Sequence, residues 1–450
     1  MQRFHSLWDA AAGEDFPEPS IASAEQERNR ASSEASDAIT ALAELAQERK
    51  LVSSVALSAR HNAAHWRGEA GDAAGAAAAF TELAKDRARL LGADHPATLN
   101  TRHEVAHWHG HAGNVAAAAA AFAELAGDRA RLLGADHPDT LNTRHNAAHW
   151  RGEAGDAAGA AAAFTELAKD RSRLLGRDDP DTLSARHNAA GWRGEAGDAA
   201  GAAADFTELA KDRSRLLGRD DPDTLNTRHN AAGWRGEAGD AAGAAAEYIN
   251  IAKDRSRLLG ADHPDTLSAR HNAAGWRGEA GDAAGAAAEY IDIAKDRARV
   301  LGADHPSTLN TRHSAAGWRG EAGDAAGAAA DYTELAKDRA RVLGADHPST
   351  LNTRHNAAHW RGEAGDAAGA AADYTELAKD RARVLGADHP STLSTRHEAA
   401  HWRGEAGDPA GATADFTRVA KDRTRVLGRD HPATVMSRQS ATSWRREARK

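Results

Sequence analysis

Large aromatic side chains recur along this chain at a fixed interval of 42 residues, within polar and alanine-rich surroundings. One series is tryptophan, and a second series of phenylalanine or tyrosine follows it 14 residues later. The first series is Trp66, Trp108, Trp150, Trp192, Trp234, Trp276, Trp318, Trp360, Trp402 and Trp444, and the second is Phe80, Phe122, Phe164, Phe206, Tyr248, Tyr290, Tyr332, Tyr374 and Phe416. Together they hold 19 of the 22 aromatic residues, so the chain is a tandem repeat.

Each repeat carries the start and stop signals of two helices. In one unit, residues 140–154 are predicted as helix A, and the segment from Asp156 to about Leu175 as helix B. Gly155 suits the left-handed conformation that ends a helix, and Asp156 suits the N-cap of the next one. Two helices joined by so short a turn pack antiparallel, so the repeat is predicted to be a helix hairpin.

The unit resembles a tetratricopeptide repeat, most closely the 42-residue variety of kinesin light chains and many bacterial proteins. Ala148, Ala160 and Phe164 stand where that family has the small residue of helix A, the small residue of helix B and the aromatic residue. Gly155 and Asp156 match its turn. The long helix B and the linker that follows it match the 42-residue variety.

The resemblance covers roughly residues 35–450 and implies an all-α fold, a right-handed superhelical solenoid of antiparallel helix hairpins. Residues 1–34 are expected to form an irregular or disordered tail. Residues 35–450 are expected to hold a degenerate N-terminal helix over 36–50, about nine full repeats and a C-terminal capping helix over 434–450. The chain departs from the family at Ala147, where a large aliphatic residue is usual, and at Trp150, one position before the usual tyrosine.

Composition narrows the classes of function. The net charge of −9 gives no reason to expect a nucleic-acid partner. Because the chain has no cysteine, disulfides and thiolate metal sites are excluded. No apolar run approaches membrane-spanning length, and the N-terminal residues do not form the apolar stretch of a secretory signal. We therefore expect a cytoplasmic protein that has no membrane partner and needs no cofactor.

The resemblance places a peptide-binding groove along helix A, at Arg144, His145, Asn146, His149, Glu153 and their equivalents. The asparagine series is Asn62, Asn146, Asn188, Asn230, Asn272 and Asn356. The first histidine series is His61, His103, His145, His187, His229, His271, His313, His355 and His397. The second, directly before the tryptophan, is His65, His107, His149, His359 and His401, with Gly191, Gly233, Gly275 and Gly317 in the middle repeats.

Each series has a functional and a structural interpretation. Carboxamides can bond an extended peptide backbone, or they are a polar face copied by duplication. The first histidine series can respond to pH near 6.5, or each imidazole hydrogen-bonds a neighbouring repeat. The block of glycines marks a binding register, or it records the history of duplication. An arginine series from Arg60 to Arg438 pairs with acidic residues of the adjacent repeat, or it receives an acidic ligand.

Two segments match the H-E-x-x-H pattern of zinc peptidases, His103 to His107 and His397 to His401. Sister repeats read His-Asn-Ala-Ala-His, so the histidine pair belongs to the repeat and Glu104 and Glu398 replace asparagine. A metal-dependent hydrolase is therefore only a remote alternative. Adventitious metal binding by these histidine pairs stays open.

The pattern as a whole predicts a non-enzymatic scaffold that binds an extended peptide or protein partner along the concave helix-A face. The alternative is a self-assembling, filament-forming repeat protein. Ser6-Leu7-Trp8-Asp9 and Glu14-Asp15-Phe16 resemble the tryptophan-acidic peptides that kinesin-light-chain repeats recognise. This tail either caps the first hairpin or docks in a groove, which would give self-association through the N-terminal tail.

Overall fold

The computed structural model of the chain describes residues 54–450 and the isolated residues 30, 33 and 34. The predicted shortened helix over 36–50 and the acidic segments around Trp8 and Phe16 lie outside the described residues. So does nearly all of the predicted tail, 1–34. These three expectations stay predictions.

Residues 54–450 contain nineteen helices and no strand. Odd-numbered helices are helix A of each repeat and even-numbered helices are helix B. Nine complete pairs precede an unpaired last helix A, which confirms the predicted all-α fold of helix hairpins. The helices are α1 Ser54–Glu69, α2 Ala73–Leu91, α3 Pro96–His111, α4 Val115–Leu133, α5 Pro138–Glu153, α6 Ala157–Leu175, α7 Pro180–Glu195, α8 Ala199–Leu217, α9 Pro222–Glu237, α10 Ala241–Leu259, α11 Pro264–Glu279, α12 Ala283–Leu301, α13 Pro306–Glu321, α14 Ala325–Leu343, α15 Pro348–Glu363, α16 Ala367–Leu385, α17 Pro390–Glu405, α18 Pro409–Leu427 and α19 Pro432–Glu447.

The chain divides into two compact units, residues 1–205 and 206–450. In the described part of the first unit, helix B of each repeat packs against its own helix A and against helix A of the next repeat. The second unit repeats this arrangement from α9 to α19. None of the described helices is both long enough and apolar enough to cross a membrane.

The helix ends follow from local capping. The Asp156 side chain accepts a hydrogen bond from the backbone N–H of Gly159 at 2.8 Å, and Gly155 has φ 97°, as the sequence predicts. Helix A begins at Pro138. Its N-cap is His137, whose Nδ1 accepts from the backbone N–H of Asp139 at 3.2 Å. Histidine is not among the usual N-cap residues, so sequence rules miss this cap.

Eight tryptophans of the series pack on a glycine of the preceding helix A, whereas Trp66, in the first described helix, is 65% exposed. In α15, a Cβ added to Gly362 would lie 2.5 Å from Cη2 of Trp402, so only glycine leaves room for the indole. The same relation recurs at Gly68, Gly110, Gly152, Gly236, Gly278, Gly320 and Gly404. The buried side chains of helix B, such as Tyr374 and Leu377, complete each layer. Layers therefore approach closely where glycine faces indole.

Candidate functional site

Successive helices A line a polar recess in the first unit. One face of α1 holds residues 58, 62, 65 and 69, which are three or four positions apart, and residue 61, which is three positions after 58 and four before 65. We call this the helix-A face. The recess has a volume of about 510 Å³ and extends over α1, α3 and the start of α5. Its lining includes Ser58, His61, Asn62, Asn100, His103 and Asn142. Members of the predicted asparagine series and first histidine series thus lie together here.

The first histidine series is packed between repeats. In eight repeats the ring meets the Phe or Tyr of its own helix B edge-on, with centroids 4.7–5.0 Å apart. In four of these, Nε2 also lies 3.2–3.3 Å from the asparagine Nδ2 of the next repeat, as for His103 with Asn146 and His229 with Asn272. These histidines and asparagines therefore bond one another across the repeat boundary. Their role in binding a ligand stays a prediction.

Burial controls the charge of these histidines. Burial, and to a smaller extent a nearby helix-B arginine, lowers the pKa of His103, His145, His229, His271, His313, His355 and His397 to about 4. These seven histidines are therefore neutral at pH 7. In the folded chain these histidines take up a proton only near pH 4, well below the pH of about 6.5 at which an exposed histidine does so.

Stability is expected to fall as the pH is lowered from about 6.5 towards 4 and to level off below that for these groups. In this window the unfolded chain binds protons that the folded chain does not, because these histidines have a lower pKa in the folded chain than in the unfolded chain. Urea unfolding midpoints measured across this pH range would show the slope. A variant with His229→Gln, His271→Gln and His313→Gln, matching the natural Gln439, should have a shallower slope. An unchanged slope would contradict the assignment.

The second histidine series covers the tryptophans. Trp402 has two imidazole neighbours, His401 at 5.1 Å and His359 at 6.4 Å between ring centroids, and is 7% exposed. Trp108, beside three imidazoles, and Trp150, beside two, are similarly buried. The remaining described tryptophans from Trp192 to Trp360, and Trp444, are more exposed. The glycine block therefore uncovers the indoles of the middle repeats.

The Arg60 series does pair with carboxylates, but not those that were expected. Nη1 of Arg60 donates to Asp86 Oδ2 at 2.7 Å, and Arg144 pairs with Asp170 in the same way. Both aspartates belong to helix B of the same repeat, so the predicted pairing with the adjacent repeat is wrong. The arginine side chain reaches helix B of its own repeat because the two helices of a hairpin pack side by side.

A second arginine series on helix B was missed by the sequence analysis. Arg339 is 4% exposed, and its guanidinium donates to Thr353 Oγ1 at 2.7 Å and to Asn310 Oδ1 at 2.8 Å. It thereby joins its own helix A to the start of the next one. The equivalents described as buried are Arg87, Arg129, Arg171, Arg255, Arg297, Arg381 and Arg423. The recurrent Asp-Arg-x-Arg of helix B was the available signal, although basic residues in the last turns of a helix are also expected from the helix dipole alone.

The H-E-x-x-H segments are not arranged as a metal centre. His103 is engaged by Asn146, whereas the ring of His107 lies 4.4 Å from that of His111. In the second segment, His397 Nδ1 lies 3.1 Å from Ser437 Oγ. Within the described residues, no three His, Asp or Glu side chains are grouped to hold a metal ion.

Known proteins share these repeats. Residues 98–139, 350–391 and 392–433 match the model of the family described as Tetratricopeptide repeat. Curated protein sequences gave no match. Among solved structures, the chain is similar to a putative kinesin light chain with nearly identical TPR-like repeats from Podosopora anserina, at 22% identity and a TM-score of 0.43, over 46% of this chain and 97% of that one.

Two further structures are similar over most of the chain. One is a signal transduction ATPase with a tetratricopeptide repeat sensor from Pyrococcus horikoshii, at 8% identity and a TM-score of 0.51, covering 90% of this chain and 54% of that one. The other is the apo form of RapI, at 8% identity and a TM-score of 0.50, covering 87% of this chain and 98% of that one. These two likenesses concern the fold. Together with the matched segments, the helix pairs and the 42-residue period, they show that this chain has the fold of a tetratricopeptide-repeat array.

Proposed function

We propose that the chain is a non-enzymatic scaffold whose helix-A face binds an extended peptide or protein segment. The observation that carries the proposal is the recess along α1, α3 and α5, which is lined by side chains of consecutive helices A and by the helix-B residues Arg87 and Arg129. Tetratricopeptide repeats are typical of protein–protein interaction scaffolds, and repeat arrays commonly bind along such continuous surfaces.

The near-identity of the repeats favours an extended ligand. Equivalent positions on successive helices A offer similar side chains at regular steps, so each further repeat that a ligand contacts adds a similar interaction. A compact small molecule would contact only one or two of these steps. Affinity is therefore expected to grow with the length of the bound segment.

The natural lack of cysteine allows a direct test. A displayed library of random peptides is selected against the full chain, and the selected peptides are then measured against two single-cysteine variants. Glu153→Cys places the label on the helix-A face of α5, and Glu166→Cys places it on exposed α6 of the same repeat. A bulky polyethylene glycol maleimide at residue 153 is expected to abolish binding, and the same label at residue 166 to leave it unchanged.

Two results would overturn the proposal. The first is loss of peptide binding with the label at residue 166 but not with the label at residue 153, which would place the binding surface on helix B. The second is a selection that yields no peptide above the background of an unfolded control. Circular dichroism of both labelled variants checks that the helices are retained.

A further inference from the structure

Three residues of the glycine block lie against tyrosines of helix B. A Cβ added to Gly233, Gly275 or Gly317 would lie 3.0, 2.8 or 3.0 Å from the hydroxyl oxygen of Tyr248, Tyr290 or Tyr332, respectively. Repeats with histidine at this position mostly carry phenylalanine in helix B instead, as His65 does with Phe80. In these three repeats the tyrosine hydroxyl therefore lies against a helix-A position that lacks the imidazole, whereas Tyr374 shares its repeat with His359.

Partly exposed indoles flank these hydroxyls in the second unit. Trp234, Trp276, Trp318 and Trp360 each expose part of the indole, in contrast to Trp402. Burial raises the pKa of the Tyr290 hydroxyl, and the indole of Trp318 in the next repeat lowers it, as expected for neighbouring groups. The indoles thus recur at regular intervals along this part of the helix-A face, whereas the three tyrosines behind them are buried. We call this row of indoles the aromatic strip.

A row of carboxylates runs beside the aromatic strip. Glu237, Glu279 and Glu321 stand one helical turn after Gly233, Gly275 and Gly317, on the same face, and all three are exposed. In the described part of the chain no ion pair engages them. Burial raises the pKa of the Tyr332 hydroxyl, and the Glu321 carboxylate raises it further, as expected for neighbouring groups.

No cation on the same helices neutralises this row. Arg270 and Arg312 bond Asp296 and Asp338 of helix B, and Arg277 pairs with Asp282 at the turn. The histidines nearest the strip, His271 and His313, have a pKa of about 4 because they are buried. At neutral pH the strip therefore presents aromatic faces and negative charge, within a chain of net charge −9.

We propose that the aromatic strip binds lysine or arginine side chains of an extended peptide. An ammonium or guanidinium group is attracted by an indole face, and a carboxylate beside the ring adds a charge partner. With one such position in each repeat, the strip would bind cationic residues that recur at regular intervals along the ligand. This inference rests on the proposed function and adds the class of ligand and the repeats that select it.

The first test removes negative charge either from helix A or from helix B. The probe is a blocked peptide of alternating arginine and serine, long enough to span three repeats, and its glutamate–serine counterpart is the control ligand. The variant Glu237→Gln, Glu279→Gln and Glu321→Gln is compared with Glu208→Gln, Glu334→Gln and Glu376→Gln, which removes the same charge from helix B. The helix-A variant is expected to weaken binding of the arginine peptide by about tenfold, and the helix-B variant to change it little.

Equal weakening by both variants would show attraction by net charge alone and would overturn the inference. Equal or tighter binding of the glutamate–serine peptide to the unchanged chain would also overturn it. If library selection yields peptides that bind the helix-A face but lack cationic residues, the inference fails while the proposed function stands.

A second variant tests the aromatic part. Gly233→His, Gly275→His and Gly317→His, combined with Tyr248→Phe, Tyr290→Phe and Tyr332→Phe, installs the histidine–phenylalanine pair that the chain itself uses at His107 and Phe122. Acrylamide quenching of tryptophan fluorescence should decrease as imidazoles cover the indoles, and binding of the arginine peptide should weaken. Reduced quenching with unchanged binding would show that the indoles are not part of the site.

Discussion

Replacing Arg339 by methionine is expected to lower the free energy of unfolding by about 3 kcal/mol or more. Methionine fills much of the same volume but donates no hydrogen bond. Asn310 Oδ1, the Ser349 carbonyl and the Leu309 carbonyl would each lose a donor inside the interface between repeats. Lysine should recover only part of the loss, because one ammonium group cannot reproduce a planar guanidinium that bonds two helices. Urea unfolding followed by circular dichroism measures the change.

Arg341, two residues later, provides the matched control. It is exposed, and its guanidinium bonds both carboxylate oxygens of Asp304 at 2.6 and 2.7 Å. Because both partners are in contact with water, Arg341→Met is expected to cost about 1 kcal/mol or less. Equal losses in the two variants would contradict the distinction between the buried and the exposed arginine. A small effect of Arg339→Met alone would show that its bonds are replaced by water.

Sequence patterns were sufficient for the repeat and its helices because those features depend on neighbouring residues. The Gly155–Asp156 turn contains both the positive-φ residue and the N-cap, and the structure has them there. Arg339 and Arg341 look alike in sequence, since both follow Asp338 on one helix. Helical spacing places Arg339 on the buried face, four residues after Leu335, and Arg341 on the opposite side, but the partners of Arg339 follow only from the stacking of repeats.

The candidate site was predictable in its positions but not in its contacts. Spacing along helix A places His229 and the glycine block on one face. The bond between His229 and Asn272 joins residues 43 apart, and it exists only because of how consecutive repeats stack. Likewise, the glycine at residue 275 acquires its meaning from Tyr290 in the other helix of the hairpin. A single repeat considered alone contains neither relation.

The contact between glycine and tryptophan leads to the second large effect. Gly362→Ala is expected to destabilise the fold by about 2 kcal/mol, even though alanine is the better helix former by about 1 kcal/mol. The added methyl would lie 2.5 Å from Trp402, whose indole is 7% exposed and packs against Ala358 and Tyr374 in the same cluster. The rigid ring must shift and disturb those neighbours.

Gly127→Ala separates this clash from the intrinsic preference of the helix. Gly127 lies on the exposed side of α4, and a Cβ there would meet nothing within 4 Å. This variant should therefore be more stable than the unchanged chain by up to about 1 kcal/mol. In a double-mutant cycle, Gly362→Ala with Trp402→Ala should be less destabilised than the sum of the two single changes, because the methyl then enters space left by the indole. Additive losses would mean that the alanine acts elsewhere, and that the indole does not require glycine beneath it.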